Sequence, residues 1–262
     1  MTGYYLYGFV AKDATRTPFE AAVPFAADVT FVPYQDVAAV VRPIDPEVFA
    51  TELREHLNSQ NTPDNPWLAE QAVAHDEVIG QYMDTGICPV RFGTILPSEQ
   101  ALLTLLERTH QDVSRTLGEL SGKKEWTLRV WLDRNAVTLT PARGGRAYLQ
   151  ARRDTLNQQQ RQRRQCEQQQ QVIQQWLQHE GIPFVMQTRR PADSDSQLGV
   201  CEAVVLLSDR QVEQWQKRFA GASFAGASFA EMNGEDAAAL EHTLSGPFAP
   251  YHFSNFEAVI NQ

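Results

Sequence analysis

The densest run of titratable residues in the chain is His75-Asp76-Glu77. A histidine beside two carboxylates could form an acid–base pair or supply two metal ligands. The flanking pattern places the run on a helix, where successive side chains point about 100° apart. The three groups therefore cannot converge on one atom. His75 also lies on an apolar stripe with Leu68, Ala72, Ile79 and Met83, so a buried histidine with one hydrogen-bond partner is favoured over a catalyst or a ligand. The other five histidines, at 56, 110, 179, 242 and 252, are scattered. Cys88, Cys166 and Cys201 are widely spaced and lack CxxC or Cys/His ligand spacing, which reads as three reduced thiols, one or two of them buried. GxGxxG, GxxxxGK[ST] and GxSxG are absent. The expectation is no catalytic, metal-binding or cofactor-binding residue.

Composition narrows the remaining classes. A chain of 262 residues suits two ordinary domains. With 42% apolar residues, 13 Phe, 7 Tyr and 5 Trp, it can fill two cores, which excludes wholesale disorder. A net charge of −9 argues against nucleic acid, whose phosphates need a basic surface. No apolar run approaches the ~20 residues that span a bilayer, and MTGYYLYGFV has neither a basic start nor a long apolar core. A soluble, cytoplasmic protein without a membrane partner is expected.

The candidate residues sit on a mixed pattern. YYLYGFV (4–10), VTFVPY (29–34) and DVAAVVRPI (36–44) read as strands, Pro46–Leu57 as a short helix, and Asn65-Pro66 as a helix start. ICPVRFGTIL (87–96) is extended, and Leu102, Leu106, Val113, Leu117 and Leu120 form the stripe of another helix. An α+β domain closing near residue 122 follows. The second unit, 123–244, runs strand (125–133), long helix (about 145–180), strand (183–188), strand (199–208), helix (209–219) and strand (near 239–245). This βαββαβ order is a modified ferredoxin-like arrangement with an extended helical region. No cysteine cluster in it could hold iron and sulfur.

Two segments are compositionally biased. Residues 157–175 hold eleven glutamines and three arginines, read as a solvated helix or as a sticky arm for a partner. FAGASFAGASFA (219–230) is a tandem copy, read as a helix end running into an inserted duplication. The tail 245–262 carries Phe248, Tyr251, Phe253 and Phe256, stiffened by Pro247 and Pro250. So much aromatic surface predicts a tail docked between the two domains. Arg91, flanked by Val90 and Phe92, is expected to pair in the interior with Asp76, Glu77 or Glu125.

Six motifs together resemble the gas vesicle protein F/L family: YYLYGFV (4–10), HDEV (75–78), PVRFGT (89–94), GKKEWTLRVWLD (122–133), GGRAYLQARRD (144–154) and SGPFAPYHF (245–253). They span about 250 residues in the family's order. Cys88 replaces the leucine usual before PVRFGT, and GPFAPY departs from the usual Gly-Pro-Trp-Pro-Pro-Tyr ending. The resemblance implies two α+β domains, the first of unusual topology and the second a modified ferredoxin-like one. It implies a non-enzymatic accessory or minor structural protein of gas vesicles, without cofactor. Its partners would be the small hydrophobic shell protein and other accessory proteins, and its place the gas-facing surface of the vesicle, after a cytoplasmic stage. His75, Arg91, Phe92, Gly93, Trp126, Pro247, Phe248, Tyr251 and Phe253 are the structural and interaction candidates.

Two rivals stay open. One is a ligand-binding or regulatory module on the ferredoxin-like fold, since topology does not fix function. The other is a hydrolase in which His75 reaches Cys88, Cys201 or a serine.

Overall fold

The computed structural model describes residues 2–16, 28–58, 65–133, 145–189, 191–194, 197–219 and 240–254. It is a mixed α+β protein with two sheets and five α-helices among the described residues. The chain divides into two compact units, residues 1–125 with 248–262, and residues 126–247.

The first unit is built around β1 (Gly3–Ala11), which pairs antiparallel with β3 (Val37–Ile44). The outer strand β2 (Thr30–Tyr34) pairs with β3 on its far side. On the other edge of β1, the short strands β4 (Ile87–Pro89) and β5 (Ile95–Leu96) pair with its two halves, also antiparallel. Gly8 permits this closeness: a Cβ there would stand 2.5 Å from the Cys88 carbonyl oxygen.

Helix α1 (Pro46–Leu57) starts where sequence places it, capped by the Asp45 carboxylate and opened by a proline at its first position. Helix α2 (Pro66–Gln81) repeats that device with Asn65. α3 (Glu99–Leu120) is capped by Ser98. Residues of both parities on β1 are buried, so the central strand is covered on both faces: Tyr5, Tyr7 and Val10 meet Phe49 of α1 and Val78 and Ile79 of α2, and α3 also packs on the sheet. This explains why VAAVV and YYLYGFV lack clean alternation.

The α2 stripe differs from expectation. Gln71, Ala74, His75, Val78 and Ile79 are buried, while Ala72 is exposed and Leu68 and Met83 are half-buried. Helix 66–81 is thus turned by about one residue, because Arg42 and the ring of Tyr5 give Gln71 and His75 polar partners inside. For α3 the expected stripe is the observed one: Leu102, Leu106, Val113, Leu117 and Leu120 are all buried.

In the second unit the elements are β6 (Lys123–Asp133, its first residues belonging to the first unit), α4 (Gly145–His179), β7 (Phe184–Met186), β8 (Gln197–Ser208), α5 (Asp209–Phe219) and β9 (Leu240–Phe248). The strands lie in the order β7-β8-β6-β9, with β7 and β8 antiparallel. Alternate residues Leu128, Val130 and Leu132 of β6 join Val200, Ala203, Val205 and Leu207 of β8 and Ile173, Trp176 and Leu177 of α4 in one core. β9 continues to Phe248, past the expected end of the strand near 245. The glutamine-rich stretch is helical, with Arg161, Arg163 and Arg164 exposed. The FAGAS duplication lies outside the described residues apart from Phe219.

Candidate functional site

The residues singled out by chemistry meet at one place in the first unit. β4 and β5 together form one partner strand of β1, broken by an arch, Val90–Thr94. Both feet of the arch are tied to β1, through Val90 N–H to the Tyr7 carbonyl (3.0 Å) and Leu6 N–H to the Thr94 carbonyl (2.9 Å). Gly93 turns the arch at φ +83°, a value that side chains other than glycine's rarely adopt, and a Cβ there would also crowd Leu53 at 3.1 Å. The turn aims the Gly93 N–H at the Tyr5 hydroxyl, 3.1 Å away.

From Tyr5 the hydrogen bonds run in one direction. The hydroxyl lies 2.9 Å from Nδ1 of His75, and Nε2 of His75 lies 3.2 Å from the Val90 carbonyl and 3.1 Å from the Tyr251 hydroxyl. A carbonyl can only accept, so Nε2 carries the proton. Nδ1 then accepts from Tyr5, which in turn accepts from Gly93. The order is Gly93 N–H to Tyr5 O–H to His75, then His75 N–H to Val90 and Tyr251. Tyr7 stacks on the imidazole at 5.5 Å, and Phe92 meets it edge-on at 5.8 Å.

Burial sets the electrostatics. It lowers His75 from its usual value to about 4, against the opposing pull of the Val90 carbonyl, so the ring is neutral at pH 7. Burial also raises Tyr5 and Tyr251, the latter with help from the charges of Asp76 and Glu125. Arg42 is the buried cation. Its guanidinium lies 5.6 Å over the Tyr5 ring and 5.7 Å over Phe49, and it donates to the Gln71 side chain at 3.4 Å.

The segment after β9, Ala249–Ser254, is a strap across this cluster. Tyr251 reaches His75. The His252 backbone N–H donates to one carboxylate oxygen of Glu125 at 3.0 Å, and its Nδ1 lies 2.8 Å from the other. The Ser254 hydroxyl sits 2.8 Å from the Pro250 carbonyl and 3.3 Å from that of Pro89. Glu125 is itself buried, only 4% exposed.

Several expectations change here. His75 has three hydrogen-bonding neighbours, not one, and Asp76 and Glu77 are not among them. Arg91 is exposed in the arch and not in the interior as expected, and Glu125 is engaged by His252. Phe92 and Gly93 are half-buried, as are Tyr251 and Phe253, whereas Pro247 and Phe248 are exposed, Phe248 at 47%. Phe256 lies outside the described residues. Trp126 is half-buried in the second unit's core, with a buried indole N–H that has no hydrogen-bond partner among the described residues. Sequence reasoning missed Tyr5, Arg42, Gln71 and His252. A lone arginine in VAAVVRPI and tyrosines spaced by two in YYLY were the available signals.

A second constellation has the right residue types for hydrolysis and the wrong geometry. Asp36, in the turn after β2, accepts from Ser114 of α3 at 2.6 Å and is also bonded by His110 of α3. The serine proton is committed to the carboxylate and not to the histidine, so no nucleophile is activated. Ser114 first, then His110, hold the Asp36 carboxyl below the usual range, and the trio fastens the β2–β3 turn to α3. Cys88, buried, is pushed up by desolvation and stays a thiol. All three cysteines are buried. Among the described residues no group of three His, Cys, Asp or Glu could hold a metal, and no helix is long and apolar enough to cross a membrane.

The family model described as gas vesicle synthesis protein GvpL/GvpF matches residues 3–255. Gas vesicle protein L of Streptomyces sp. (strain CB03234) is 36% identical over 76 residues, which cover 28% of this chain and 28% of that relative's length. Two crystal structures are similar in fold. Gas vesicle protein GvpF from Anabaena sp. PCC7120 aligns at TM-score 0.54 and 15% identity, covering 97% of this chain and 96% of that one. GvpF from Microcystis aeruginosa aligns at TM-score 0.54 and 14% identity, covering 96% and 98%.

Proposed function

We propose, on the premise that this chain belongs to the gas vesicle synthesis protein GvpL/GvpF family, that it is a non-enzymatic accessory protein of gas vesicle formation. It binds the small hydrophobic shell protein and other accessory proteins, and it ends at the gas-facing surface of the vesicle. The observation that carries this reading is the family match from residue 3 to residue 255, which takes in both units.

Physical chemistry supports the non-catalytic part. The histidine that could have acted as a base is neutral, enclosed and committed to Tyr5, Val90 and Tyr251. Its neighbours are spent on holding an arch and a strap. A shell protein that turns an apolar face to gas needs a soluble partner before assembly, and such a partner works through aromatic and strand-edge contacts. Arg91 in the arch, with Pro247 and Phe248 at the end of β9, are the exposed residues among the candidates, and they are our candidate contacts. The second unit fits a ferredoxin-like arrangement: its first and third strands, β6 and β8, are central, and its second and fourth are outermost.

Co-purification from a vesicle-forming cell tests the binding. Recovery of the shell protein is expected, and recovery of no vesicle protein at saturating concentration overturns the reading. Protease protection in intact vesicles, lost on collapse, is the expected outcome for a gas-facing location. Equal digestion in both states refutes that location.

A further inference from the structure

We propose that the strap Ala249–Ser254 is an acid-released latch, whose departure from the first unit is coupled to protonation of His75.

The geometry of the ring carries this. His75 is 2% exposed. Its one tautomer satisfies both nitrogens: Nε2–H points to Val90 and Tyr251, and Nδ1 receives the Tyr5 proton. A second proton finds no free acceptor. Placed on Nδ1, it would face a hydroxyl that already receives Gly93 N–H, and the Tyr5 proton would lose its acceptor in turn.

The surrounding groups offer a cation little compensation. β1 presents the neutral phenols Tyr5 and Tyr7. β3 presents Arg42, a permanent cation at the Tyr5 ring. β4 contributes the apolar Ile87. The arch contributes Arg91, which is exposed. On its own helix His75 is flanked by Asp76 and Glu77, neither hydrogen-bonded to the ring. The strap contributes Tyr251 and His252, and Glu125 beyond them accepts from His252.

An imidazolium here is relieved by returning to water. Of the elements around the ring, β1, α2 and β4 are core. The strap belongs to neither a sheet nor a helix, and among the described residues its side-chain links to the rest of the unit are Tyr251 to His75, His252 to Glu125, and Ser254 to Pro89. Segments held by few buried contacts open first. Once the strap leaves, the ring is no longer desolvated and its affinity for a proton returns toward that of a free histidine, near 6.5. The burial that holds His75 at about 4 in the closed form is thus undone, and each pH unit between ~6.5 and 4 favours the open form by up to about tenfold.

The experiment uses the full chain. Imidazole resonances of His75 are followed by NMR through a pH titration, together with hydrogen exchange of the His252 and Phe253 amides corrected for intrinsic rate. In the parent protein, strap exchange is expected to accelerate about tenfold per pH unit below ~6.5 while β1 and β3 amides stay protected. Ser254→Ala combined with His252→Ala removes two of the strap's links without touching the Tyr251–His75 bond, and should raise the His75 titration by about one unit or more. His75→Gln, which can donate and accept at the same two positions but does not titrate, should flatten the pH dependence of strap exchange. An unmoved His75 titration in the strap variant overturns the proposal. So does strap exchange that rises only together with the core strands, or that keeps its pH dependence in His75→Gln. If His75→Gln does not fold, the titration in the strap variant decides.

Discussion

The two units bury aromatic rings to different ends. In the second, Trp176 and Trp215 meet edge-on at 5.2 Å within an aliphatic core of β6, β8 and α4, and the Trp215 indole N–H donates to His242 at 3.4 Å. In the first, Tyr5, Tyr7 and Tyr251 surround a histidine, and the Tyr5 and Tyr251 hydroxyls and both imidazole nitrogens are hydrogen-bonded. A core set by volume tolerates any group of the right size. A core set by hydrogen bonds accepts only the one arrangement that leaves no donor or acceptor orphaned. The first unit therefore ties a neutral buried histidine to a docked strap, whereas the second is filled chiefly by volume.

The largest effect should fall on the volume-dominated core. Trp176→Ala, at a residue 3% exposed, is expected to cost about 3–5 kcal/mol and to lower the melting temperature alike at pH 7 and pH 5. A pH-dependent loss there would erase the contrast.

The pH profile itself comes next. An unfolded chain protonates His75 below about 6.5, and the folded chain only near 4. The folded state thus binds fewer protons through that window, so stability is complete above ~6.5 and is lost as pH falls, by on the order of 3 kcal/mol once pH 4 is reached. His242, also lowered by burial, adds a contribution of the same sign. Chemical denaturation of the parent and of His75→Gln at pH 7 and 5 measures the difference, and equal slopes in the two proteins would break the comparison.

Tyr5→Phe keeps the ring and removes the hydroxyl, leaving Gly93 N–H and His75 Nδ1 without their partner. A loss of about 1–3 kcal/mol at pH 7 is expected from equilibrium unfolding. A loss near zero would mean that packing alone holds this site. The smallest effect belongs to Arg91→Ala. An exposed side chain in the arch should change stability by no more than about 0.5 kcal/mol, and under the proposed function it would weaken capture of the shell protein instead.

Local signals in the sequence read well where local chemistry decides the outcome. Asp45-Pro46 and Asn65-Pro66 start helices because cap and proline act within one turn. The stripe of α3 is legible because that helix presents a single apolar face. The α2 stripe misleads because Gln71 looks like a surface residue until Arg42, 29 positions away, supplies its partner. Arg91 misleads in the opposite sense, since apolar neighbours in sequence suggest burial and the arch lifts it out.

By itself the sequence determined the α+β class, the order of elements, the family to which the motifs point, and the absence of any phosphate-binding or nucleophile signature, all of which rest on local patterns or on motif order. Only the tertiary structure decided that Tyr5, His75, Gly93 and Tyr251 are one chain of hydrogen bonds. Those residues are up to 176 positions apart in pairing, and hydrogen-bond direction depends on where a carbonyl such as that of Val90 comes to rest. No spacing rule encodes that position. It follows from β4 and β5 sharing one edge of β1, and from a glycine that lets the arch between them turn inward.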